Sequence, residues 1–372
     1  MTRIFFSAGE ASGDMHGANL IRALRDIDGR VQCEGLGGQR MTDAGMTLRF
    51  DLAGKAIMGF TEVVKSLGMI RRLFNETVAY LKEKRPDCLV LIDYPGFNMR
   101  LGKRAKALGI PVVYYISPQV WAWKKGRVFE LAKFVEKMLV ILPFEEELYA
   151  RAGVQCRYVG HPLLDHLNVA SIAGRFRGST VIGLLPGSRE QEIRRHMDVM
   201  IEVARGIRMR YPKARFIAPC VDHARESQVR ALAGDFPVET AVGGMYEVLD
   251  AARFCLVASG TATLETALFG VPMVVMYRIS GLSHWLARRL VSVAHIAMVN
   301  ILAGRGIVPE FIQDEARAEI VLPAALDLIA DTPARAAMLR DLTDLRAGLG
   351  GDGASRRAAE EIMNVTLKSQ NA

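Results

Sequence analysis

RIFFSAGEASGDMHG, the stretch at residues 3–17, decides the fold. Its apolar start, Arg3–Ser7, has the composition of a buried strand, and a glycine-rich turn from Gly9 to Gly17 follows directly. Glycine permits close approach of the backbone to a ligand, and the helix N-terminus after such a turn attracts anions. The stretch therefore predicts a strand–turn–helix unit of a parallel sheet. Its glycines are four residues apart and do not match the GxGxxG fingerprint, which argues against a nicotinamide cofactor.

Apolar runs alternate with helix-period segments, a pattern that is typical of parallel sheets with helices on both faces. In the first half the strand candidates are Arg3–Ser7, Cys88–Asp93, Val112–Ile116, Lys137–Leu142 and Gln155–Val159. Beyond a junction near 162–178, a second series comprises Val181–Leu185, Arg215–Ala218, Phe254–Ala258 and Met273–Met276. We therefore predict an α/β protein with two Rossmann-like domains, which bind ligands beyond the carboxyl ends of their strands.

Composition narrows the class of protein. The 372 residues are half apolar and carry a formal net charge of +8, which favours polyanionic partners. The Lys and Arg residues are scattered rather than gathered in one arm, which argues against nucleic acid. No signal-peptide pattern and no apolar run of about 18 residues occurs, so any membrane contact is expected to be peripheral. The five cysteines form no CxxC pair and indicate free thiols in a reducing compartment.

The turn after the first strand carries ionisable groups at a position where parallel sheets bind ligands. Glu10, Asp14 and His16 are candidate catalytic or binding residues, and Ser12 lies beside them. A plain glycine-rich turn, in which Ser12 or Asp14 caps the helix, is the alternative interpretation.

Asp93 ends the second apolar run and precedes the segment Tyr-Pro-Gly-Phe-Asn98. A carboxylate at the end of a buried strand is costly unless it is hydrogen-bonded or functional, so Asp93 is a candidate general base. An Asx turn ahead of Pro95 is the competing interpretation.

Two tryptophans follow the third strand, in Ser117-Pro-Gln119-Val-Trp121-Ala-Trp123. They form either a wall that faces a sugar or an acyl chain, or a buried aromatic cluster.

The second domain opens with a strand-to-helix turn at Pro186-Gly-Ser188. We expect Ser188 to cap the helix, with Gln191 at the capping-box position. Arg189 would then lie in the first turn, where a cation opposes the helix dipole and a phosphate ligand would explain it. A solvated surface arginine is the alternative.

Two further segments end strands or begin helices. Ser259-Gly260-Thr261 precedes a helix whose free N–H groups can hold a pyrophosphate, and Glu265 could accept hydrogen bonds from ribose hydroxyls. Asn300 and Arg305 are the last candidates, and a helix cap is the alternative for Asn300.

Together these segments resemble the lipid A disaccharide synthase family. The resemblance covers residues 7 to about 315 and rests on SAGEASGD, ISPQVWAWK, LPGSRxxEI and ASGTATLE in the family's order. It implies a GT-B glycosyltransferase with two facing Rossmann-like domains and a cleft between them. The acceptor-binding domain would be 1–168, the UDP-sugar-binding domain 169–349, and a C-terminal helix from about 350 would cross back to the first.

The resemblance implies transfer of 2,3-diacylglucosamine from UDP to 2,3-diacylglucosamine 1-phosphate, with inversion. Asp93 is then the expected base, with Glu10 next and Asp14 and His16 behind it. Substrate contacts are expected from Ser12, His16, Asn98, Gln119, Arg189, Ser259, Gly260, Thr261, Glu265, Asn300 and Arg305. We expect no metal and no cofactor, because the literal DxD at Asp26–Asp28 falls in a turn.

Acylated substrates require access to a bilayer. Ala56–Phe74 and Leu282–Val293 are candidate amphipathic contacts with anionic lipid, and core-facing helix stripes are the alternative. We expect a cytoplasmic protein at the inner face of the inner membrane that does not bind nucleic acid and could form a homodimer. The alternative enzyme is a GT-B transferase or epimerase with another UDP-N-acetylglucosamine-type substrate. A non-catalytic nucleotide- or RNA-binding protein is the alternative class.

Overall fold

The computed structural model describes residues 1–55, 63–118, 120–121, 126–166, 180–279 and 295–370. By its internal contacts the chain divides into two compact units, Met1–His166 with Leu349–Ala372, and Leu167–Gly348. Each unit is built on one parallel sheet, and helices follow most of its strands. The predicted class, α/β with two Rossmann-like domains, is confirmed.

The first unit has the strand order β3-β2-β1-β4-β5-β6-β7 among its described residues. Its strands are β1 (Arg3–Ala8), β2 (Gln32–Gly37), β3 (Thr47–Asp51), β4 (Cys88–Ile92), β5 (Val112–Tyr115), β6 (Lys137–Val140) and β7 (Cys156–Tyr158). Its helices are α1 (Ala11–Ile27), α2 (Gln39–Asp43), α3 (Leu52–Lys55), α4 (Val63–Lys84), α5 (Pro95–Ala107), α6 (Arg127–Leu131) and α7 (Pro143–Arg151). A 3-10 helix, Pro162–His166, ends this part of the unit.

The second unit has the order β10-β9-β8-β11-β12-β13 in the ranges that the structure describes. Its strands are β8 (Val181–Leu185), β9 (Arg215–Cys220), β10 (Val238–Val242), β11 (Ala252–Ala258), β12 (Met273–Tyr277) and β13 (Glu310–Ile312). Its described helices are α8 (Glu190–Arg210), α9 (His223–Ala233), α10 (Met245–Ala251), α11 (Thr261–Leu268), α12 (Met298–Ala303), α13 (Ala318–Ile329) and α14 (Pro333–Gly348), and Gln313–Glu315 is a 3-10 turn.

The central strand β4 shows why the first sheet is buried on both faces. All five of its residues are apolar and fully buried, as a strand covered by helices on both sides requires. Leu89 and Leu91 belong to one hydrophobic cluster with α4 and α5, and Cys88, Val90 and Ile92 belong to another with α1. The period of two residues therefore assigns alternate side chains to opposite layers.

The C-terminal helix α15 (Ala354–Gln370) packs on α1 and completes the first unit, which confirms its predicted return. Asp165 caps it: the Asp165 carboxylate accepts hydrogen bonds from the backbone N–H groups of Gly353, Ala354 and Ser355 at 2.7 to 2.9 Å. Glu361 on the same helix pairs with Lys137 and Arg157 of the sheet. These contacts give the segment around Gly160–Asp165 a structural role in docking this helix.

Four strands were missing from the sequence prediction, namely β2, β3, β10 and β13. They lie at or next to the sheet edges, and three of them have polar residues facing solvent. Edge strands lack the continuous apolar run that identified the central strands. Periodicity alone therefore underestimated the width of both sheets.

Other expectations concern membrane contact and the cysteines. Across the described ranges, no helix combines the length and apolarity needed to span a membrane. All five cysteines are free thiols. Of the two candidate membrane segments, Leu282–Val293 lies outside the described residues, and so do residues 56–62 of the other.

Candidate active site

Asp93 follows β4 on a turn whose backbone is held in an unusual conformation. Asp93 and Tyr94 both have positive φ, 44° and 49°, and so does Ile116 at 63° on the neighbouring strand end. The Asp93 N–H donates to the carbonyl oxygens of Tyr115 and Ile116, both at 3.3 Å. Left-handed conformations of bulky residues cost energy and cluster at functional sites. This strand end is therefore the strongest candidate in the first unit.

The Asn98 side chain hydrogen-bonds to the backbone of this turn. Its side chain is fully buried, and its amide nitrogen lies 2.8 to 3.1 Å from the carbonyl oxygens of Ser7, Ile92 and Asp93. Its amide oxygen accepts the Ser7 hydroxyl at 2.7 Å. The Tyr114 hydroxyl also donates to the Asp93 carbonyl, at 2.7 Å. Because these bonds occupy Asn98, they favour a positioning role over the predicted substrate contact.

The pKa of the Asp93 carboxyl is raised toward the neutral range. Its pKa is raised to about 6, chiefly by burial and secondly by the negative charge of Glu10, while the hydrogen bond from the Tyr94 N–H lowers it. Glu10 lies at the N-cap of α1, which begins after the neighbouring strand β1. Gly9 keeps the two loops close, since a Cβ there would lie 2.3 Å from the Tyr94 ring. Two carboxyls from adjacent strand ends thus share one edge.

A third carboxyl, Glu145, was not identified from the sequence. It lies in the first turn of α7, is buried to 2% exposure, and accepts the Ser117 hydroxyl at 2.6 Å. Burial raises its pKa to about 7, and its hydrogen bonds oppose that rise. The available signal was Pro143 with Glu145 two residues later, a helix start directly after an apolar strand.

Of the two tryptophans that follow β5, the structure describes Trp121. The Trp121 indole N–H donates to Glu145 at 3.3 Å, and its ring packs edge-on against Phe144 at a centroid distance of 5.3 Å. Trp121 is half-buried, so it is neither a core residue nor fully exposed. Gln119 and Trp123 lie outside the described residues.

The other candidates from the turn after β1, Asp14, Ser12 and His16, are buried or half-buried. Asp14 is buried and accepts the backbone N–H groups of Gly38, Arg40 and Met41 at 2.8 to 3.1 Å, so it caps α2. These bonds favour a structural role over the predicted catalytic one. Ser12 is half-buried in the first turn of α1, and His16 is buried. The charge of His16 acts on His161, whose pKa is lowered to about 3, chiefly by burial.

The loop after β8 presents Arg189 to solvent. Glu192 accepts the N–H groups of Ser188 and Arg189 at 3.1 and 3.2 Å, and its carboxylate contacts the Arg189 guanidinium at 3.3 Å. The helix begins at Glu190, so the prediction that Ser188 and Gln191 form the cap is wrong. Glu192 supplies the cap because its carboxylate reaches back over Gly187, where φ is +112°. The Arg189 side chain remains 70% exposed.

His196 anchors this loop to the sheet. It is fully buried: Nδ1 lies 3.2 Å from the Pro186 carbonyl oxygen, and Nε2 accepts the Arg278 N–H at 3.0 Å. This pattern requires a neutral ring with its proton on Nδ1. Burial lowers the pKa of His196, which preserves that state.

The helix α11 begins at the end of β11 with an open N-terminus. Gly260 is its N-cap residue, and among the described residues no atom beyond its chain neighbours lies within 4 Å of the position that a Cβ would take there. Thr261 is exposed, and the Ser259 hydroxyl donates to the Ile296 carbonyl at 3.1 Å. Backbone N–H groups at such a terminus suit an anionic ligand.

Glu265 lies one turn further along α11. Burial raises the pKa of its carboxyl, and a hydrogen bond with Tyr246 opposes that rise. The Tyr246 ring in turn stacks on Phe269 at 5.5 Å. Glu265 is thus held as a hydrogen-bond acceptor close to an aromatic ring.

Asn300 and Arg305 make contacts within the second unit. The Asn300 side chain is buried; it donates to Val308 O and Glu310, and it accepts the N–H groups of Ile307 and Val308. Arg305 forms a two-pronged ion pair with Asp341, at 2.6 and 3.1 Å. These partners favour structural roles over the predicted substrate contacts.

In the described part of the chain, no group of three or more His, Cys, Asp or Glu side chains has a metal-binding arrangement. Asp28 of the literal DxD pairs with Arg30 at 3.0 Å, at the end of α1 opposite to the strand ends described above.

Known sequences resemble this chain over nearly its whole length. The profile of the LpxB family, described as lipid-A-disaccharide synthetase, matches residues 4–361. The lipid-A-disaccharide synthase of Syntrophus aciditrophicus is 40% identical over 376 positions, which cover 98% of each chain. That of Nitrosococcus oceani is 41% identical and covers 98% of this chain and 96% of the relative.

Solved structures share the fold at much lower identity. The UDP co-structure of S. aureus MnaA has a TM-score of 0.67 at 13% identity and covers 98% of both chains. The calicheamicin glycosyltransferase CalG4 has a TM-score of 0.63 at 15% identity and covers 99% of both. Such likenesses show a fold, not a substrate. The profile match and the relatives near 40% identity settle the family: the chain belongs to the lipid-A-disaccharide synthases.

Proposed function

We propose that this chain transfers a 2,3-diacylglucosamine residue from UDP to 2,3-diacylglucosamine 1-phosphate, which yields lipid A disaccharide 1-phosphate and UDP. Family membership supports this activity. The observation that carries the chemistry is Asp93, a largely buried carboxyl with a pKa of about 6 on a strained strand end.

Asp93 is the proposed general base. The acceptor's 6-hydroxyl attacks the anomeric carbon, the bond from that carbon to the UDP oxygen breaks, and the hydroxyl proton passes to Asp93. One in-line displacement inverts the configuration. A base with a pKa near the working pH is mostly ionised and still accepts a proton effectively. Glu10 supports this role because its charge raises the pKa of Asp93.

The second unit is proposed to hold UDP. The exposed guanidinium of Arg189 and the open N-terminus of α11 at Gly260 and Thr261 would stabilise the charge that develops on the departing pyrophosphate. Glu265 would accept hydrogen bonds from the ribose hydroxyls. In this scheme neither a metal nor another cofactor takes part.

The acyl chains of both substrates imply work at a membrane surface. We propose that the chain associates peripherally with the anionic inner face of the bacterial inner membrane, an association that its net charge of +8 would favour. A homodimer stays a prediction, which light scattering of the purified chain tests.

The direct test is mass spectrometry of products made by the purified chain from UDP-diacylglucosamine and diacylglucosamine 1-phosphate. The expected product is the monophosphorylated tetraacyl disaccharide, formed at equal rates with EDTA and with added magnesium. Its absence, or conversion of UDP-N-acetylglucosamine to an epimer instead, contradicts the proposal. The epimerase alternative is not favoured, because UDP-N-acetylglucosamine 2-epimerases match this chain at only 12 to 15% identity.

A further inference from the structure

Glu145 is a buried carboxyl that the scheme above does not use. It is 2% exposed, and its hydrogen-bond donors within the described residues, Ser117, Trp121 and the Leu142 N–H, are neutral. Neutral donors replace only part of the hydration that a carboxylate loses on burial, so the charged form of such a group is costly.

The contacts of Glu145 join two separate strand ends. One carboxylate oxygen accepts the Leu142 N–H at 3.3 Å, which is the cap of its own helix. The other accepts Ser117 Oγ–H at 2.6 Å and Trp121 Nε1–H at 3.3 Å, both from the loop after β5. The second set of bonds is unrelated to the cap.

That loop also supports Asp93. Ile116, directly before Ser117, has a φ of 63°, and its carbonyl oxygen accepts the Asp93 N–H. The backbone that orients Asp93 is therefore anchored through Ser117 to Glu145. The charge of Asp93 in turn raises the pKa of Glu145, so the two carboxyls interact electrostatically.

We propose that Glu145 is a positioning residue of the transfer reaction, which holds Ser117 and the half-buried ring of Trp121 in place and thereby orients Asp93. The inference rests on the proposed function.

Kinetics of four variants test the role. Glu145→Ala should lower kcat by about 10²-fold, the usual cost of a displaced catalytic group, with the KM for the UDP-sugar unchanged within about twofold. Ser117→Ala should lose about tenfold, because it removes one hydrogen bond at 2.6 Å and leaves the helix cap. Glu145→Gln keeps an acceptor for Ser117 and should recover most of the loss. Glu147→Gln, an exposed change on the same helix, is the matched control.

A titration that needs no turnover completes the test. With 13C-labelled glutamate, the NMR signal that is missing in Glu145→Gln should titrate near pH 7 in the wild type and at lower pH in Asp93→Asn. A midpoint that Asp93→Asn leaves unchanged overturns the inference, as does a folded Glu145→Ala with wild-type kcat. If Glu145→Ala does not fold, Glu145→Gln and Ser117→Ala decide it. A wild type that makes no disaccharide contradicts the proposed function instead and leaves the NMR result valid.

Discussion

The carboxyl-end edges of the two sheets differ in charge and in backbone geometry. The edge of the first sheet gathers three carboxyls, Glu10, Asp93 and Glu145, and Asp93 lies on a turn with left-handed residues. The edge of the second offers donors, namely the guanidinium of Arg189 and the open N-terminus of α11. One edge is suited to accept a proton and the other to hold an anion. The same parallel architecture thus serves two kinds of chemistry, which the loop residues decide.

Asp93→Asn, at the carboxyl-end edge of the first sheet, should have the largest effect on activity. We expect turnover to fall by at least about 10²–10⁴-fold, the usual contribution of a general base. Stability should rise, because a pKa raised from 3.8 to about 6 means that ionisation disfavours the folded state by up to about 3 kcal/mol at pH 7 and above. Urea unfolding should show a smaller gain at pH 5 than at pH 8. A fully active variant would remove Asp93 from the base role.

Arg189→Ala, at the carboxyl-end edge of the second sheet, should weaken the binding of UDP. A charged hydrogen bond to phosphate is worth about 1.5–3 kcal/mol, so the Kd for UDP should rise roughly 10- to 100-fold by calorimetry. Arg194→Ala, which removes an exposed ion-paired arginine of the helix that follows Arg189, is the control and should bind UDP normally. Equal affinities in the two variants would contradict phosphate binding by Arg189.

Glu265→Ala tests whether Glu265 binds the ribose of the UDP-sugar. The KM for the UDP-sugar should rise about tenfold with kcat largely kept, since the lost hydrogen bonds are made in both ground and transition states. The variant should also lose the preference for UDP over 2′-deoxy-UDP in calorimetric titrations. An undiminished preference would place the ribose elsewhere.

Glu10→Gln should have the smallest effect and should change only the pH dependence of kcat/KM. The charge of Glu10 raises the pKa of Asp93, so its removal should shift the acid limb of kcat/KM, expected near pH 6, to lower pH. The shift should be about half a pH unit to one unit, because burial is the larger cause. Glu136→Gln, an exposed change in the same unit, should leave the limb in place. A limb that moved to higher pH would contradict the coupling.

The sequence allowed the central strands, both Rossmann-like units and the candidate strand ends to be predicted, because buried parallel strands leave long apolar runs and the turns after them carry polar residues. Glu145 was missed for a physical reason. Its neighbours in sequence indicate only a helix start, while its partners Ser117 and Trp121 come from another strand end. No local pattern reports such a contact.

Asp93, Asp14 and Asn300 looked alike in the sequence, as polar side chains at the ends of apolar runs or the starts of helices. That placement follows from local patterns of hydrophobicity and turn residues, which the sequence by itself determined. Only the tertiary structure decided which lone pairs are used: N–H groups of another segment, three of them, occupy Asp14, and two N–H groups occupy Asn300. The Asp93 carboxyl accepts the N–H of the adjacent Tyr94, and the bonds from other segments hold the Asp93 backbone. Hydrogen bonds between distant segments form only when the chain is folded, so they separate a cap from a candidate base.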